Sequence, residues 1–297
     1  MTDDITTADL SGLLAPYAQR CREYMDRWLI EPGVPQELAA VMQYSVMNGG
    51  KRLRPGLVQM AAETGSLGNP ELTARAAVAV ELVHCYSLVH DDLPAMDDDT
   101  LRRGRPTVHV QFGEAMAILA GDALLTRAFS VLTESGQPRS AALVGELTRG
   151  AGPAGMIAGQ VADMKLCDVP EGLEGITYIH MRKTAALLRA SSAMGGISVD
   201  LDDRDIEALG EYGQALGLAF QLFDDVLDVT GDAGTLGKTP GKDAGTDKRT
   251  IVAQLGLEAA CKLGKDLSDQ AVAALDGFGG RAKKLVQLAA LLTERTH

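Results

Sequence analysis

The sequence predicts an all-α protein built as a single large helical bundle, on three observations. Apolar residues recur at spacings of three and four along nearly the whole 297-residue chain, alternating strand-like runs are scarce, and no Pro/Ser-rich linker, repeat or composition break divides it. Residues 1–297 therefore read as one domain, although the length would allow two. With 46% hydrophobic but only 4% aromatic residues, the core is built mainly from Ala, Leu, Val, Ile and Met, which excludes a disordered chain.

The elements follow in order. Asn69 and Pro70 form an N-cap and first helical position for ELTARAAVAVELVHCYSLVH, which is apolar nearly all round and so is expected to be buried. Pro94 ends or kinks it, because proline lacks the amide donor and clashes with the preceding turn. Further helical segments run from about Glu114 to Leu132, Ala141 to Lys165, Tyr178 to Met194, Asp205 to Val229 and Thr250 to Leu275, joined by short polar connections.

Lys+Arg 28 against Asp+Glu 40 leaves a net charge of −12. That argues against general nucleic-acid binding or attraction to anionic lipid, both of which use basic surfaces. Cys21, Cys85, Cys167 and Cys261 are widely spaced and form no CxxC pair, which indicates neither a zinc knuckle nor a disulfide scaffold. The acidic start MTDDITTADL is unlike a signal peptide, and no stretch reads as the roughly 18 apolar residues of a membrane span. A cytoplasmic protein without membrane insertion is expected.

Bundles place their chemistry on polar side chains that project from apolar helices. Two such clusters stand out. HDDLPAMDDD closes one helix with Asp91, Asp92, Asp97, Asp98 and Asp99, and QLFDDVLDV carries Asp224, Asp225 and Asp228 inside another. Gln221, Asp224, Asp225 and Asp228 lie three or four apart, on one face. At an effective dielectric of about 20, unit charges about 5 Å apart repel by roughly 3 kcal/mol, so some of these carboxylates are protonated or a cation is present. Oxygen-only ligands favour Mg²⁺, Mn²⁺ or Ca²⁺ over zinc. An EF-hand loop starting at Asp97 fails, because its positions six and twelve are Arg102 and Val108 instead of Gly and Glu.

Basic residues accompany both clusters. LRRGRP supplies Arg102, Arg103 and Arg105, GGKRLRP supplies Lys51, Arg52 and Arg54, and GTLGKTPGKDAGTDKR supplies Lys238, Lys242, Lys248 and Arg249. Aspartates alone would repel a diphosphate; bridging divalent ions reconcile the two, with Arg and Lys taking the remaining oxygens. The last loop is no P-loop, since Asp232 stands where the first glycine is required and the preceding segment is helical. His84 lies seven residues before Asp91, two turns away on the same face, and so points toward the acidic cluster.

These residues give the chain its resemblance to the trans (E-type) prenyl diphosphate synthases, in particular bacterial farnesyl diphosphate synthases. It runs from about Tyr44 to Gly256 through GGKRLRP, DDLPAMD with DDTLRRGRP, FGEAMAILAGDALL, GMIAGQVAD, HMRKTAAL and QLFDDVLD. The resemblance implies an isoprenoid synthase fold, a helical bundle around a deep central cavity, as a homodimer. It implies Mg²⁺-dependent condensation of isopentenyl diphosphate with dimethylallyl or geranyl diphosphate, with three ions for which Mn²⁺ can substitute. Asp91 and Asp97, supported by Asp92, would hold two ions, and Asp224 the third with Asp225 and Asp228 nearby. Arg102, Lys183, Gln221, Lys238 and Lys248 would hold the allylic diphosphate, Thr184 and Gln221 the developing cation, and Lys51, Arg54, His84 and Arg103 isopentenyl diphosphate. Tyr86 and Ser87, roughly 6 to 8 Å along the helix from Asp91, would form the floor that limits the product to fifteen carbons. A geranyl or geranylgeranyl diphosphate synthase is the alternative within the fold; a non-catalytic subunit or metal-binding interaction protein is the alternative outside it.

Overall fold

A computed structural model describes residues 9–47, 49–65, 69–230 and 250–293. Its helices are α1 (Leu10–Trp28), α2 (Gln36–Val46), α3 (Leu53–Ala62), α4 (Pro70–Asp91), α5 (Val108–Phe112), α6 (Glu114–Thr133), α7 (Ser140–Ala151), α8 (Met156–Asp163), α9 (Gly172–His180), α10 (Ala186–Ser198), α11 (Asp203–Thr230), α12 (Ile251–Leu255), α13 (Leu257–Ala274) and α14 (Lys283–Thr293). A π-helical turn, Met181–Ala185, joins α9 to α10, and a 3₁₀ segment, Asp276–Ala282, precedes α14. The expected all-α architecture is present.

The N-terminus of α4 forms as its sequence dictates: the Asn69 side chain accepts from the Glu71 and Leu72 amides (3.1 and 3.2 Å), and Pro70 occupies the first turn. Beyond it α4 is buried on nearly every side. Residues such as Leu82 and Val83, fully enclosed, each contribute roughly 1.5–3 kcal/mol of burial. Around α4 pack α3, α6 and α10, while α10 also contacts α7 and α11, and α11 lies along α13. The two acidic helix ends thus belong to rigid central elements.

Several boundaries differ from the sequence expectation. The segment 141–165 is two helices, because Gly152 and Pro153 interrupt the amide ladder between α7 and α8. The segment 250–275 divides at Gly256, whose φ of 80° no helix accommodates. The segment 178–194 contains the π turn. LRRGRP forms a two-stranded hairpin, β1 (Leu101–Arg102) and β2 (Arg105–Pro106), that periodicity could not signal in so short a run. Finally, α4 and α6 are each long and apolar enough to cross a membrane, contrary to the expectation that no stretch is. For α4 the reason is its place in the core, where 78% of the apolar window is buried; for α6 the figure is 44%.

Candidate active site

The first acidic cluster is shaped by the end of α4. The helix stops at Asp91, three residues before Pro94, and the chain folds back so that the Asp97 amide donates to the Asp91 carbonyl at 2.8 Å. This return brings Asp97 beside Asp91. Burial pushes the Asp91 carboxyl up to about 6, Asp97 and Asp92 push the same way, and Lys183 and Arg102 oppose them. Asp92 instead turns inward, where Arg102 donates from Nε at 2.8 and 3.0 Å and from Nη2 at 2.6 Å, engaging both carboxylate oxygens. Asp92 therefore orients Arg102.

Arg102 and Arg103 ride on the hairpin. Its turn residues, Arg103 and Gly104, both have positive φ (53° and 75°), as a two-residue hairpin turn requires. The Arg103 guanidinium donates to the Gly49 carbonyl at 2.5 Å and packs against Gly50, whose φ of 105° is a backbone conformation that favours glycine. Gly49 and Gly50 thus draw the GGKRLRP segment onto Arg103. Arg54, Arg103, Arg52 and Arg102 surround half-buried His84; burial first, and then these cations, hold its imidazole well below the usual histidine range. Lys51 lies exposed on the same segment. Arg54 and Arg103 thus lie beside a neutral His84, and Arg54 Nε is buried without a protein partner.

A neutral His84 has a measurable consequence. In the unfolded chain it protonates near pH 6.5, whereas the folded protein resists that proton. Unfolding free energy is therefore expected to fall as pH drops below about 6.5, by up to about 1.4 kcal/mol per pH unit, until the lowered folded value is reached. Denaturant titrations between pH 5 and 7 on the wild type and His84→Gln check this: the substitution should remove that part of the slope.

The π turn presents side chains toward both acidic regions. It places Lys183 within electrostatic reach of Asp91, ion-paired to Asp163 of α8, and lets Thr184 Oγ1 donate to Gln221 Oε1 of α11 at 2.9 Å. A π turn carries one residue more than an α turn, which is how two consecutive side chains serve two neighbours, and such turns cluster at functional sites. A Cβ at Gly159 would sit 2.1 Å from the Lys183 amide nitrogen, so that glycine lets α8 lie directly on the turn. On α11 the expected single acidic face divides. Asp224 is half-buried and Asp228 exposed, while Asp225 is buried and accepts from the Ile251 amide at 3.2 Å.

Tyr86 is buried beside His90, their rings edge to face at 5.8 Å, and Ser87 donates to the His84 carbonyl at 2.9 Å. Lys238 and Lys248 lie outside the described residues. Among the described residues no three His, Cys, Asp or Glu side chains gather closely enough to enclose an ion alone. The donors present nevertheless suit a hard divalent cation that also takes oxygens from an anionic ligand: they are oxygen-only, and Asp91 is crowded by its acidic neighbours. Sequence reasoning passed over two contributors. Asp163 ends GMIAGQVAD and pairs Lys183; Glu81 is the lone acid in the middle of apolar α4, one turn from His84, and its isolation was the available signal.

Comparison with known proteins adds to this geometry. Residues 35–278 match the family described as polyprenyl synthetase. The chain is 48% identical over 236 residues to farnesyl diphosphate synthase of Escherichia coli (strain K12), covering 77% of this chain and 79% of that protein. It is 43% identical over 267 residues to the chloroplastic geranylgeranyl pyrophosphate synthase of Capsicum annuum, covering 88% and 72%. The crystal structure of geranyltransferase from Helicobacter pylori, complexed with magnesium and isoprenyl diphosphate, superposes with a TM-score of 0.77 at 32% identity, covering 95% of this chain and 97% of that one.

Proposed function

The chain belongs to the polyprenyl synthetase family and is a prenyltransferase, and from that premise we propose that it condenses isopentenyl diphosphate with dimethylallyl and then geranyl diphosphate to give farnesyl diphosphate. The observation that carries this reading is the pairing of two regions that share Arg102 as a neighbour: Asp91 and Asp97 with Lys183 beside them, and the guanidinium groups of Arg54 and Arg103 around His84, with Lys51 exposed on the same segment. One suits a diphosphate that arrives with metal, the other a diphosphate that arrives without. The reading treats residues 1–297 as one catalytic domain.

Asp91 and Asp97, with Asp224 and Asp228 on α11, would hold Mg²⁺, which when bound supplies neutralisation of the charge that grows on departing pyrophosphate. Arg102, oriented by Asp92, and Lys183 direct further positive charge toward the same oxygens. The Thr184 hydroxyl, its proton committed to Gln221, keeps its lone pairs for the developing allylic cation. The isopentenyl double bond attacks that cation, and the proton released from the new chain leaves with pyrophosphate. The apolar lining excludes water that would otherwise capture the cation.

Product length rests on Tyr86. Its buried ring packs edge to face against His90 one turn along α4 and lies close enough to Asp91 to feel its charge, a position that suits a floor beneath the growing chain. The similarity to a geranylgeranyl pyrophosphate synthase favours a second reading with a twenty-carbon product. Chain-length analysis of dephosphorylated products, with pyrophosphate release measured with and without Mg²⁺, decides between them and tests the activity itself. Tyr86→Ala should shift the distribution beyond fifteen carbons; an unchanged distribution would remove Tyr86 from the floor.

A homodimer completes the proposal. Val110, Phe112, Ile118 and Leu119 on α5 and α6 are exposed apolar side chains that suit burial against a second copy. Light scattering should give twice the chain mass of 31.3 kDa. A cytoplasmic location is supported by the four cysteines, all free.

A further inference from the structure

His90, the last residue but one of α4, adjoins Asp91 in sequence, yet its side chain turns away toward α6. There its Nε2 lies 3.0 Å from the Ile118 carbonyl. A carbonyl only accepts, so Nε2 carries the proton and donates. One turn further along α6 stands buried Gly121, where an added Cβ would overlap the imidazole ring. Glycine is, after proline, the least favourable residue for a helix interior, and here its missing side chain is the seat of the His90 ring. On α4 itself the Tyr86 ring, four residues earlier on the same helix face, meets the imidazole edge to face, with centroids 5.8 Å apart and planes at 80°. One ring thus touches both α6 and Tyr86.

We propose that His90 is a positioning residue for Tyr86, a strut seated on Gly121 and anchored to Ile118, and through Tyr86 a determinant of product length. The proposal rests on the reading of Tyr86 as the floor beneath the growing chain. A floor has to resist: each added isoprene unit pushes an apolar end against the ring, and an aromatic side chain yields by turning about its two side-chain torsions into any space beside it. The imidazole fills that space. It cannot itself retreat without giving up the hydrogen bond to Ile118, and its seat at Gly121 fixes where on α6 it stands. With the imidazole removed, the volume it occupies becomes open to the Tyr86 ring, and a longer chain gains depth. The limit on length is therefore built from two helices, with the aromatic on α4 and its support on α6.

The test compares full chains carrying His90→Ala, Tyr86→Ala and both, by chain-length analysis of dephosphorylated products with pyrophosphate release measured alongside. In His90→Ala the share of products longer than the wild type's main product should rise about 3- to 10-fold, the range that loss of one edge-to-face ring contact corresponds to. Total pyrophosphate release should stay within about threefold of wild type, since a residue acting on the floor alters where elongation stops and not how each bond forms. The double variant should give the distribution of Tyr86→Ala alone, because His90 acts through Tyr86. An unchanged distribution in His90→Ala, or a double variant whose products are longer than those of Tyr86→Ala, would overturn the proposal. If His90→Ala does not fold, Gly121→Ala decides, because a methyl group there must displace the imidazole: an unchanged distribution overturns the proposal and a changed one upholds it. A Tyr86→Ala chain with the wild-type distribution would instead refute the floor reading itself, whatever His90→Ala shows.

Discussion

Asp91→Asn is expected to reduce turnover by about 10²–10³-fold or more while leaving the ligand-free fold as stable as the wild type, or more stable. The two halves of this result share one cause. Folding buries Asp91 beside Asp97 and Asp92 and lifts its carboxyl from 3.8 to about 6. A carboxyl raised by folding binds its proton more readily in the folded than in the unfolded chain, so stability falls as pH rises from about 4 to about 6, and the deficit persists at neutral pH. Asparagine keeps the size and removes the charge, relieving of order 1–2 kcal/mol. The catalytic loss arises because the charge that destabilises the free protein is the charge that would attract the divalent ion. Thermal unfolding with and without Mg²⁺ and pyrophosphate, beside steady-state rates, separates the two: the wild type should be stabilised by that pair and the variant should not. A variant that unfolds more easily than wild type without ligand would contradict this account.

Glu81→Ala is expected to act on the fold. Glu81 and Arg52 have 4% and 7% of their side chains exposed and form an ion pair in the core, where Arg52 also donates to the Val46 carbonyl at the end of α2. Arg52 itself sits at φ 53°, immediately before α3, so this pairing holds an unfavourable backbone conformation at the segment that presents Lys51 and Arg54. Removing one partner leaves the other charge buried and uncompensated, which costs roughly 3–5 kcal/mol. For a chain of this length that lowers the melting temperature by roughly 5–8 °C. The double substitution Glu81→Leu/Arg52→Met should recover much of the stability, since the desolvation cost disappears with both charges, but should leave the KM for the proposed substrate isopentenyl diphosphate raised. Calorimetry for the first effect and kinetics for the second keep them apart; a double variant as unstable as Glu81→Ala would show that packing, not charge, is at issue.

Much of the fold was legible because its signals are local. The Asn69–Pro70 start of α4 is a side-chain cap next to a preset φ, and the structure carries it as read. The limits of α6 and α11 also fell within a few residues of the expectation. What periodicity could not see is set by single backbone events or by distant partners. Gly256 breaks a run whose apolar spacing continues across it, and the π turn leaves hydrophobic spacing almost unchanged while shifting the helix phase. At the site, the types of residue were legible but their directions were not. Gln221, Asp224, Asp225 and Asp228 fit one face by counting, yet Asp225 is drawn inward by Ile251, 26 residues away. Asp92 likewise reads as one more acid until the hairpin returns Arg102 to it.

The π turn at Met181–Ala185 has a bearing on how this protein can change over time. One added residue advances everything after it by about 100° of helix rotation, a reading-frame shift written in angle. The side chains of α9, and the small residues of α10 that nest against α3 and α11, are thus phased independently although the chain runs through both without a loop. Deleting a single residue there would restore a regular helix and force one set to turn away from its partners. Substitutions upstream of the shift can therefore retune chemistry without being transmitted as rotation into the core, and substitutions downstream can repack the core without redirecting Lys183.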